Sequence, residues 1–263
     1  MAMVLIDDLA AGVRLLTLNR PKVNVFNLEL MQSLSSAVKD AEQEASVRAL
    51  VVRGAGAVFS AGLDFKALLQ SHVEGTQRAE HFGSAMDQAF FDVWTCRKPT
   101  VAVVTGHAIA AGYFVALACD FRYVVAGGGR YGMNELVFGA GFTRTAIEIG
   151  RHALQQHMAH AIQNAELFGW QEGLRNGSFH AGFENEEQLL AAAVAQAAKV
   201  GAMPPEAYAH VKAQLLDPYV DEVLAETGEE KRKTLEIYRS RETLQAIKRY
   251  VASLGGQQAA VPD

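Results

Sequence analysis

The sequence predicts an α/β fold followed by a helical segment, and three observations lead to that prediction. Short apolar, β-branched runs bounded by turn residues recur up to about residue 125, as expected for strands. Stretches with apolar residues at helical spacing separate these runs. After about residue 185 the chain becomes rich in Ala, Glu and Leu and shows no further strand pattern. Strands that alternate with helices indicate a layered α/β core.

Five runs are predicted as strands. The last three lack the alternation of polar and apolar residues that is typical of a sheet with one solvent-exposed face. That absence predicts a sheet covered by helices on both sides. The runs are Met3–Ile6, Val13–Leu18, Ala49–Val52, Thr100–Thr105 and Phe121–Val125.

Helical periodicity fills the intervals between the strands. Asn27 is expected to cap the first helix, because an Asn side chain can accept a hydrogen bond from a free N–H of the first turn. Two apolar stripes at helical spacing mark the first two helices: Met31, Leu34, Val38 and Ala41, then Phe82, Met86, Ala89 and Val93.

The C-terminal part is predicted to be helical from about residue 200 onwards. Pro204-Pro205 is expected to start one helix and Pro218 another, and Gly255-Gly256 to end the last. Its apolar residues exceed what a solvated appendage needs, which favours packing on another subunit. We therefore expect a core with the functional site over 1–200 and an oligomerisation region over 201–263.

Composition excludes several function classes. The net charge is −5 and the longest basic run is Lys231-Arg232-Lys233, so no nucleic-acid partner is expected. No apolar run reaches the ~18 residues of a membrane span. The two cysteines are too few for a disulfide framework and the N-terminus does not resemble a signal peptide, so a cytoplasmic location is expected.

Two other patterns are better explained without a ligand. Gly127–Gly132 has the spacing of a dinucleotide fingerprint, but glycines at 139 and 141 make the next stretch a poor helix, which favours a loop. His152, His157 and His160 have no Cys or carboxylate to complete a metal shell, so no metal is expected.

Three segments carry chemical interest. Phe59–Asp64 is a Gly-containing turn after a strand, and such a turn can present backbone N–H groups to a carbonyl. Gly106–Asp120 begins with small residues and becomes a short apolar helix, which indicates either a ligand at the helix start or tight packing. Glu135 is a lone carboxylate in an apolar stretch; it is either a buried proton-transfer group or a loop residue that faces water.

Together these segments resemble the crotonase superfamily, the enoyl-CoA hydratase/isomerase family, in the right order over nearly the whole chain. The residues 18–27 are similar to its Asn-Arg-Pro-x-x-x-Asn-Ala motif, and 59–66 to Phe-x-Ala-Gly-x-Asp-x-Lys. The residues 106–120 resemble its Gly-rich segment that ends in Cys-Asp, and 202–212 its Pro-x-Ala-x-x-x-x-Lys helix.

The resemblance implies a spiral of ββα units with a helical C-terminal trimerisation region, assembled as a trimer or hexamer. It implies an acyl-CoA thioester substrate, with coenzyme A as part of that substrate and no separate cofactor. The N–H groups of Leu63 and Ala111 would form an oxyanion hole, and Glu135 would be the catalytic glutamate. The residues implied in CoA or substrate binding are Val23, Val25, Ala61, Leu63, Asp64, Phe65, Lys66 and Ala111.

The sequence departs from the family pattern at three places. Ala110-Ala111-Gly112 replaces a run of three glycines, so Ala111 would be strained if its φ were positive. Phe114 stands where the hydratases of the family carry a second glutamate, and Asn134 replaces a proline.

The missing second glutamate favours double-bond isomerisation, which needs one base, over hydration, which also needs an activated water. An enoyl-CoA hydratase proper and a non-catalytic acyl-CoA-binding protein remain the alternatives. Five apolar residues could line the acyl pocket or belong to the ordinary core: Phe26, Leu68, Leu69, Phe82 and Phe138.

Overall fold

The computed structural model describes residues 1–253, and its centre is a six-stranded sheet in the order β1-β2-β3-β4-β6-β8. Only β1 and β2 pair antiparallel; the other neighbours are parallel. A second sheet contains the two short strands β5 and β7. The strands are β1 (Val4–Asp8), β2 (Val13–Leu18), β3 (Ala49–Gly54), β4 (Thr100–Val104), β5 (Ala108–Ile109), β6 (Phe121–Val125), β7 (Tyr131–Gly132) and β8 (Ala181–Phe183).

Helices occupy the connections and the C-terminal part. They are α1 (Leu28–Gln43), α2 (Phe65–Val73), α3 (Thr76–Thr95), α4 (Ala111–Leu117), α5 (Arg144–Leu154), α6 (Met158–Asn164), α7 (Trp170–Arg175), α8 (Glu186–Gly201), α9 (Pro205–Leu224), α10 (Gly228–Arg239) and α11 (Arg241–Ser253). Short 3₁₀ segments cover Ala10–Gly12, Glu135–Phe138 and Gln155–His157.

Apolar layers cover both faces of the main sheet, as the missing alternation predicted. On one face, side chains of β2, β3 and β4 pack against Leu189, Ala193 and Ala197 of α8. The opposite face belongs to a larger core that includes residues from α1, α3 and α4. The central strands are therefore removed from water on both sides, which is the environment parallel strands require.

The first helices begin and pack as the sequence predicts. The Asn27 side chain accepts a hydrogen bond of 2.9 Å from the Leu30 N–H, so it caps α1. Every predicted apolar position of α1 and α3 is buried. Cys96 and Cys119 are buried and neither forms a disulfide.

The prediction that Pro218 starts a helix is wrong. Pro218 lies inside α9, which continues from Pro205 to Leu224. Proline removes one helical hydrogen bond and normally costs about 3 kcal/mol. Here Leu216 before it is buried, and Tyr219, Val220 and Val223 after it pack on the core, so tertiary packing keeps the helix continuous.

A buried ion pair attaches α9 to the main sheet. Lys212 is 6% exposed, and its Nζ lies 2.9 Å from Asp120 Oδ1. The Tyr208 hydroxyl and the Thr100 N–H also donate to Asp120 Oδ2. The carboxylate therefore joins the start of β4, the end of the α4 segment and the first half of α9.

The C-terminal region is helical as far as residue 253. The Gly255-Gly256 pair, predicted to end the last helix, lies outside the described residues. Among the helices of residues 1–253, none combines the length and the apolar character that crossing a bilayer requires. The boundary near residue 200 between a core and an oligomerisation region stays a prediction.

We expect Lys212→Met to lower the free energy of unfolding by about 3–5 kcal/mol, because removing one partner leaves a largely buried carboxylate without its cation. Urea denaturation measures this loss. The control is Arg175→Met, which breaks an exposed pair with Glu172 and should cost less than about 1 kcal/mol. Equal losses in the two variants would contradict the role of the buried pair.

Candidate active site

Main-chain hydrogen bonds hold the three segments of chemical interest side by side. The Ser60 N–H donates to the His107 carbonyl at 3.0 Å, and the Ile109 N–H donates to the Ser60 carbonyl at 3.0 Å. Next to them, β5 pairs with β7, and the Ala110 N–H donates to the Gly132 carbonyl at 2.9 Å. The turn after β3, the start of α4 and the segment that carries Glu135 thus form one continuous ladder.

The backbone around Leu63 leaves its N–H free. The Phe26 N–H donates to the Gly62 carbonyl and the Asp64 N–H donates to the Phe26 carbonyl, so residues 62 and 64 face Phe26. The Leu63 N–H lies between them and points the other way, and no acceptor within residues 1–253 receives it. Gly62 has φ +98°, a left-handed value that suits glycine and permits this turn.

The start of α4 supplies a second free N–H group. Ala111 is the first residue of α4, where an N–H has no intrahelical acceptor, and no other acceptor of the described chain receives it. The strain expected for Ala111 falls on Ala110 instead, which has φ +51°. Gly112 is needed for close approach, because a Cβ there would lie 2.5 Å from the Ser60 Cβ.

Glu135 is buried, so the interpretation of a loop carboxylate facing water is wrong. It begins the 3₁₀ turn that follows β7, and its side chain is 6% exposed. Its Oε2 is buried and has no hydrogen-bond partner within residues 1–253. Burial raises the pKa of Glu135 to about 8, because the charged form loses its hydration and gains no cation.

A small cavity brings the predicted residues together. It has a volume of about 10 Å³, and its wall includes Leu63, Ala111, Phe114 and Glu135. A larger cavity of about 250 Å³ shares Leu63, Glu135 and Tyr238 with it. The single glutamate therefore borders the same space as both free N–H positions.

Phe114 makes the wall opposite Glu135 apolar. Its ring lies 5.9 Å from the ring of Phe90 and 5.9 Å from the ring of Phe142, measured between centroids. Apart from Glu135, no side chain in the wall of the small cavity carries a carboxylate, within the part of the chain that the structure describes.

The residues predicted for CoA binding divide into two groups. Ala61, Leu63 and Phe65 line the 250 Å³ cavity, and Ala111 lines the small one. The others lie outside both walls. The Asp64 carboxylate caps α2 by accepting a hydrogen bond from the Ala67 N–H, and it forms an ion pair with Arg20. Lys66 is exposed. The Val23 carbonyl accepts a hydrogen bond from the Ala61 N–H, and the Val25 carbonyl accepts one from the Arg20 side chain.

Asn134 connects the site to the C-terminal helices. Its side-chain amide donates to the Tyr250 hydroxyl of α11 at 2.9 Å, and both residues line the 250 Å³ cavity. Tyr238 of α10 borders this cavity as well, with its hydroxyl donating to the Gly141 carbonyl at 2.8 Å. The residue that replaces the family's proline thus has a contact of its own.

A third cavity, of about 430 Å³, has several polar residues in its wall, among them Asp87 and His72, which were not singled out from the sequence. Asp87 directly follows Met86, a member of the apolar stripe of α3. A carboxylate next to this stripe was the feature of the sequence that could have indicated a polar group near the core. Of the five apolar acyl-pocket candidates, Leu68 and Phe82 line this cavity and Phe138 lines the 250 Å³ one. Phe26 and Leu69 are core residues that border none of the three.

The glycine pattern folds into the loop that was favoured over a dinucleotide site, and the three histidines lie in three separate elements. The Gly127–Gly132 stretch is a loop that ends in β7 and opens no α-helix. His152 lies in α5, and its ring accepts a hydrogen bond from the Trp94 indole. Within residues 1–253 no group of three or more His, Cys, Asp or Glu side chains could hold a metal ion.

Comparison with known sequences adds an independent finding. A sequence model described as Enoyl-CoA hydratase/isomerase matches residues 8–254. A protein of Bacillus subtilis (strain 168) named probable enoyl-CoA hydratase is 28% identical over 199 residues, 75% of this chain and 76% of the relative. A putative enoyl-CoA hydratase of Thermus thermophilus is 37% identical over 128 residues, 48% of this chain and 50% of that protein.

Solved structures have the same architecture. An enoyl-CoA hydratase/isomerase from Xanthobacter autotrophicus Py2 superposes with a TM-score of 0.83 at 27% identity, covering 98% of this chain and 96% of that one. Human mitochondrial delta3-delta2-enoyl-CoA isomerase superposes with a TM-score of 0.89 at 22% identity, covering 98% of this chain and 100% of that one. These likenesses confirm the predicted fold class, a mixed α/β fold with a mainly parallel sheet and a helical C-terminal region.

We expect Ala110→Gly to raise the free energy of unfolding by about 1 kcal/mol, because glycine relieves the left-handed φ of this position. The matched control is Ala111→Gly, which should lower it by about 0.5–1 kcal/mol because Ala111 has a helical backbone. Urea denaturation measures both changes. A loss of stability in Ala110→Gly as large as in its neighbour would contradict the strain at residue 110.

Proposed function

The chain belongs to the enoyl-CoA hydratase/isomerase family, and we propose that it is an enoyl-CoA isomerase that converts a 3-enoyl-CoA to a 2-enoyl-CoA. Glu135 acts as the single base, and the N–H groups of Leu63 and Ala111 form the oxyanion hole. The observation that carries the proposal is the buried Glu135 carboxylate, whose Oε2 has no partner within residues 1–253, in the wall that it shares with these two positions.

The two N–H groups supply the electrostatic part of catalysis. Removing a proton from the carbon next to a thioester carbonyl moves negative charge onto the carbonyl oxygen. Two preorganised donors stabilise that charge, and losing one such donor typically costs about 2.7–4 kcal/mol of barrier height. The Leu63 and Ala111 N–H groups suit this role because neither is committed to an acceptor of the described chain.

Glu135 supplies the proton transfer. Its carboxylate takes a proton from C2 of the 3-enoyl chain, and the electron pair spreads over the dienolate and the thioester oxygen. The carboxylic acid then returns the proton to C4, which leaves the double bond between C2 and C3. One group performs both steps, so no second carboxylate is needed, and the raised pKa of about 8 makes the carboxylate a stronger base.

The wall around Glu135 disfavours hydration. A volume of about 10 Å³ is roughly the space that one water needs, and an ordered water also needs two to four polar partners. Phe90, Phe114 and Phe142 offer none. The wall adds only the hydroxyls of Thr143 and Tyr238 within residues 1–253, so attack by water on a 2-enoyl chain would have no second carboxylate to activate and orient the nucleophile.

Hydratase activity is the competing proposal, because curated relatives carry that name. A non-catalytic acyl-CoA-binding protein is the other alternative, and it gives no reason for the buried Glu135 carboxylate. We further propose a cytoplasmic homotrimer or hexamer. The exposed Val211, Leu215 and Leu224 of α9 support the assembly, since another subunit would cover them.

We expect the purified protein to isomerise a 3-enoyl-CoA and to hydrate crotonyl-CoA slowly or not at all. Glu135→Gln should lower kcat for isomerisation by about 10²–10⁴-fold, since the amide cannot accept the proton. The control Glu236→Gln changes an exposed carboxylate of α10 and should leave kcat unchanged. Rapid hydration of crotonyl-CoA would instead identify a hydratase, and binding without turnover of either compound would identify a binding protein.

We expect kcat/KM for isomerisation to rise with pH and to level off above about 8, where Glu135 becomes ionised. The direction follows from the raised pKa, because the protonated fraction below it cannot act as the base. Burial raises the pKa of Asp87 only to about 6, so it is mostly ionised across pH 7–9. A profile that is flat or falls between pH 6 and 9 would argue against Glu135 as the base.

A further inference from the structure

The cavity of about 430 Å³ adjoins the proposed reaction centre. It shares Leu63 and Tyr238 with both smaller cavities and Met86 and Thr143 with the smallest. Near the shared residues its wall is apolar, with Leu68, Ala79 and Phe82 from α2 and α3. An acyl chain that leaves a thioester carbonyl at Leu63 can enter this space.

Asp87 places an unsatisfied carboxylate oxygen in the wall of that cavity. Its Oδ1 is buried and has no hydrogen-bond partner within residues 1–253. Burial raises the pKa of Asp87 to about 6, and the nearby hydroxyls of Thr143 and Thr145 oppose that rise only in part. Hydrogen bonds from Thr143 and Thr145 reach the Asp87 carboxylate, but its Oδ1 receives none, so a ligand that donates to Oδ1 would remove the cost of leaving this atom unsatisfied.

His72 contributes a second unsatisfied acceptor to the same wall. Its Nδ1 lies 2.7 Å from the Leu68 carbonyl, and a carbonyl only accepts, so Nδ1 carries the proton. Burial lowers the pKa of His72, which keeps the ring neutral. Nε2 is then an acceptor, and it is buried without a partner among the described residues.

Several potential donors line the cavity, among them the hydroxyls of Ser84, Thr143 and Thr234. None of them donates to Asp87 Oδ1 or His72 Nε2, since both atoms lack a partner within residues 1–253. The wall therefore leaves two acceptors that a donor of the ligand can satisfy.

We propose that this cavity selects acyl chains that carry a hydroxyl group, which donates a hydrogen bond to the Asp87 carboxylate or to His72 Nε2. The proposal rests on the proposed function, in that the thioester lies at Leu63 and Ala111. It names a substrate class, hydroxylated enoyl-CoA thioesters, and makes Asp87 and His72 specificity-determining residues.

The charges around the cavity suit a neutral hydroxyl group. The lining carboxylates besides Asp87 are Glu80 and Glu226, and the lining cations are Lys231 and Arg232, so these four charges cancel. Arg239 adds a positive charge near His72. With Asp87 and Arg239 included, three carboxylates face three cations, so the surroundings are balanced and a hydroxyl satisfies either acceptor without adding charge.

The test is a binding measurement that does not depend on turnover. Butanoyl-, hexanoyl- and octanoyl-CoA, each with and without a hydroxyl on the terminal carbon, are titrated calorimetrically into the full-length protein. A hydrogen bond to a charged acceptor predicts that at least one hydroxylated chain binds about ten- to a hundredfold more tightly than its plain counterpart. Equal affinity for both members of every pair overturns the proposal.

Variants assign the preference to the two residues. Asp87→Leu should abolish most of the preference and bind plain chains at least as well as the wild type, and His72→Phe should reduce it. Asp87→Leu removes the hydrogen bonds to Thr143 and Thr145, so a melting curve checks that the variant folds. Glu80→Gln, at an exposed residue of the same wall, should keep the preference. A preference that survives Asp87→Leu and His72→Phe overturns the proposal.

The binding results separate this proposal from the proposed function. Preferential binding of hydroxylated chains without isomerisation of any 3-enoyl-CoA supports the specificity and refutes the isomerase. Isomerisation with no preference refutes the specificity alone. Asp87→Leu could also slow the isomerisation of plain and hydroxylated chains equally and keep the binding preference of the wild type. In that case Asp87 serves catalysis or structure, and the specificity proposal fails.

Discussion

The site depends on one set of main-chain hydrogen bonds that joins segments far apart in the sequence. Ser60 pairs with Ala108, and Ala108 pairs with Tyr131. Each of the three residues lies in a different segment that connects two strands of the main sheet. The ladder uses the backbone, and Gly112 permits its close approach to Ser60, so the ladder fixes the relative positions of the turn, the start of α4 and Glu135. The Leu63 N–H is left free by the pairing with Phe26, and the Ala111 N–H is free because it begins α4.

Close to this ladder, the protein buries carboxylates although removing their charge from water is unfavourable. Glu135 is buried beside aromatic rings with no cation, and Asp87 is buried in the next cavity with an unpartnered oxygen. The contrast is Asp120, whose carboxylate receives Lys212, Tyr208 and Thr100. An unsatisfied oxygen alone does not mark a site, because Glu148 pairs with Arg144 and Arg151 and still has a buried Oε2 without a partner. Glu135 and Asp87 differ in that they border cavities, where a ligand can supply the missing donor.

Local patterns allowed most of the fold to be predicted, and the resemblance to a known family supplied the candidate site residues, several of which lie in the walls of two cavities. The Asn27 cap and the buried central strands follow from spacing and composition alone. The errors came from tertiary effects. Packing on both sides of Pro218 overrides its helix-breaking tendency, and the ladder decides that Ala110 rather than Ala111 takes the left-handed conformation. Asp87 was missed because the sequence does not show that a cavity opens beside α3.

The hydrogen bond between Asn134 and Tyr250 has a consequence for the order in which the protein is made. The two residues are 116 positions apart, and both border the same cavity. A ribosome that adds about 5–20 residues per second needs roughly 6–23 seconds to travel from one codon to the other. During that interval the nascent chain can pair the ladder while one wall of the cavity has not yet been synthesised. A chaperone that covers this apolar opening until α11 emerges would reduce aggregation during that interval.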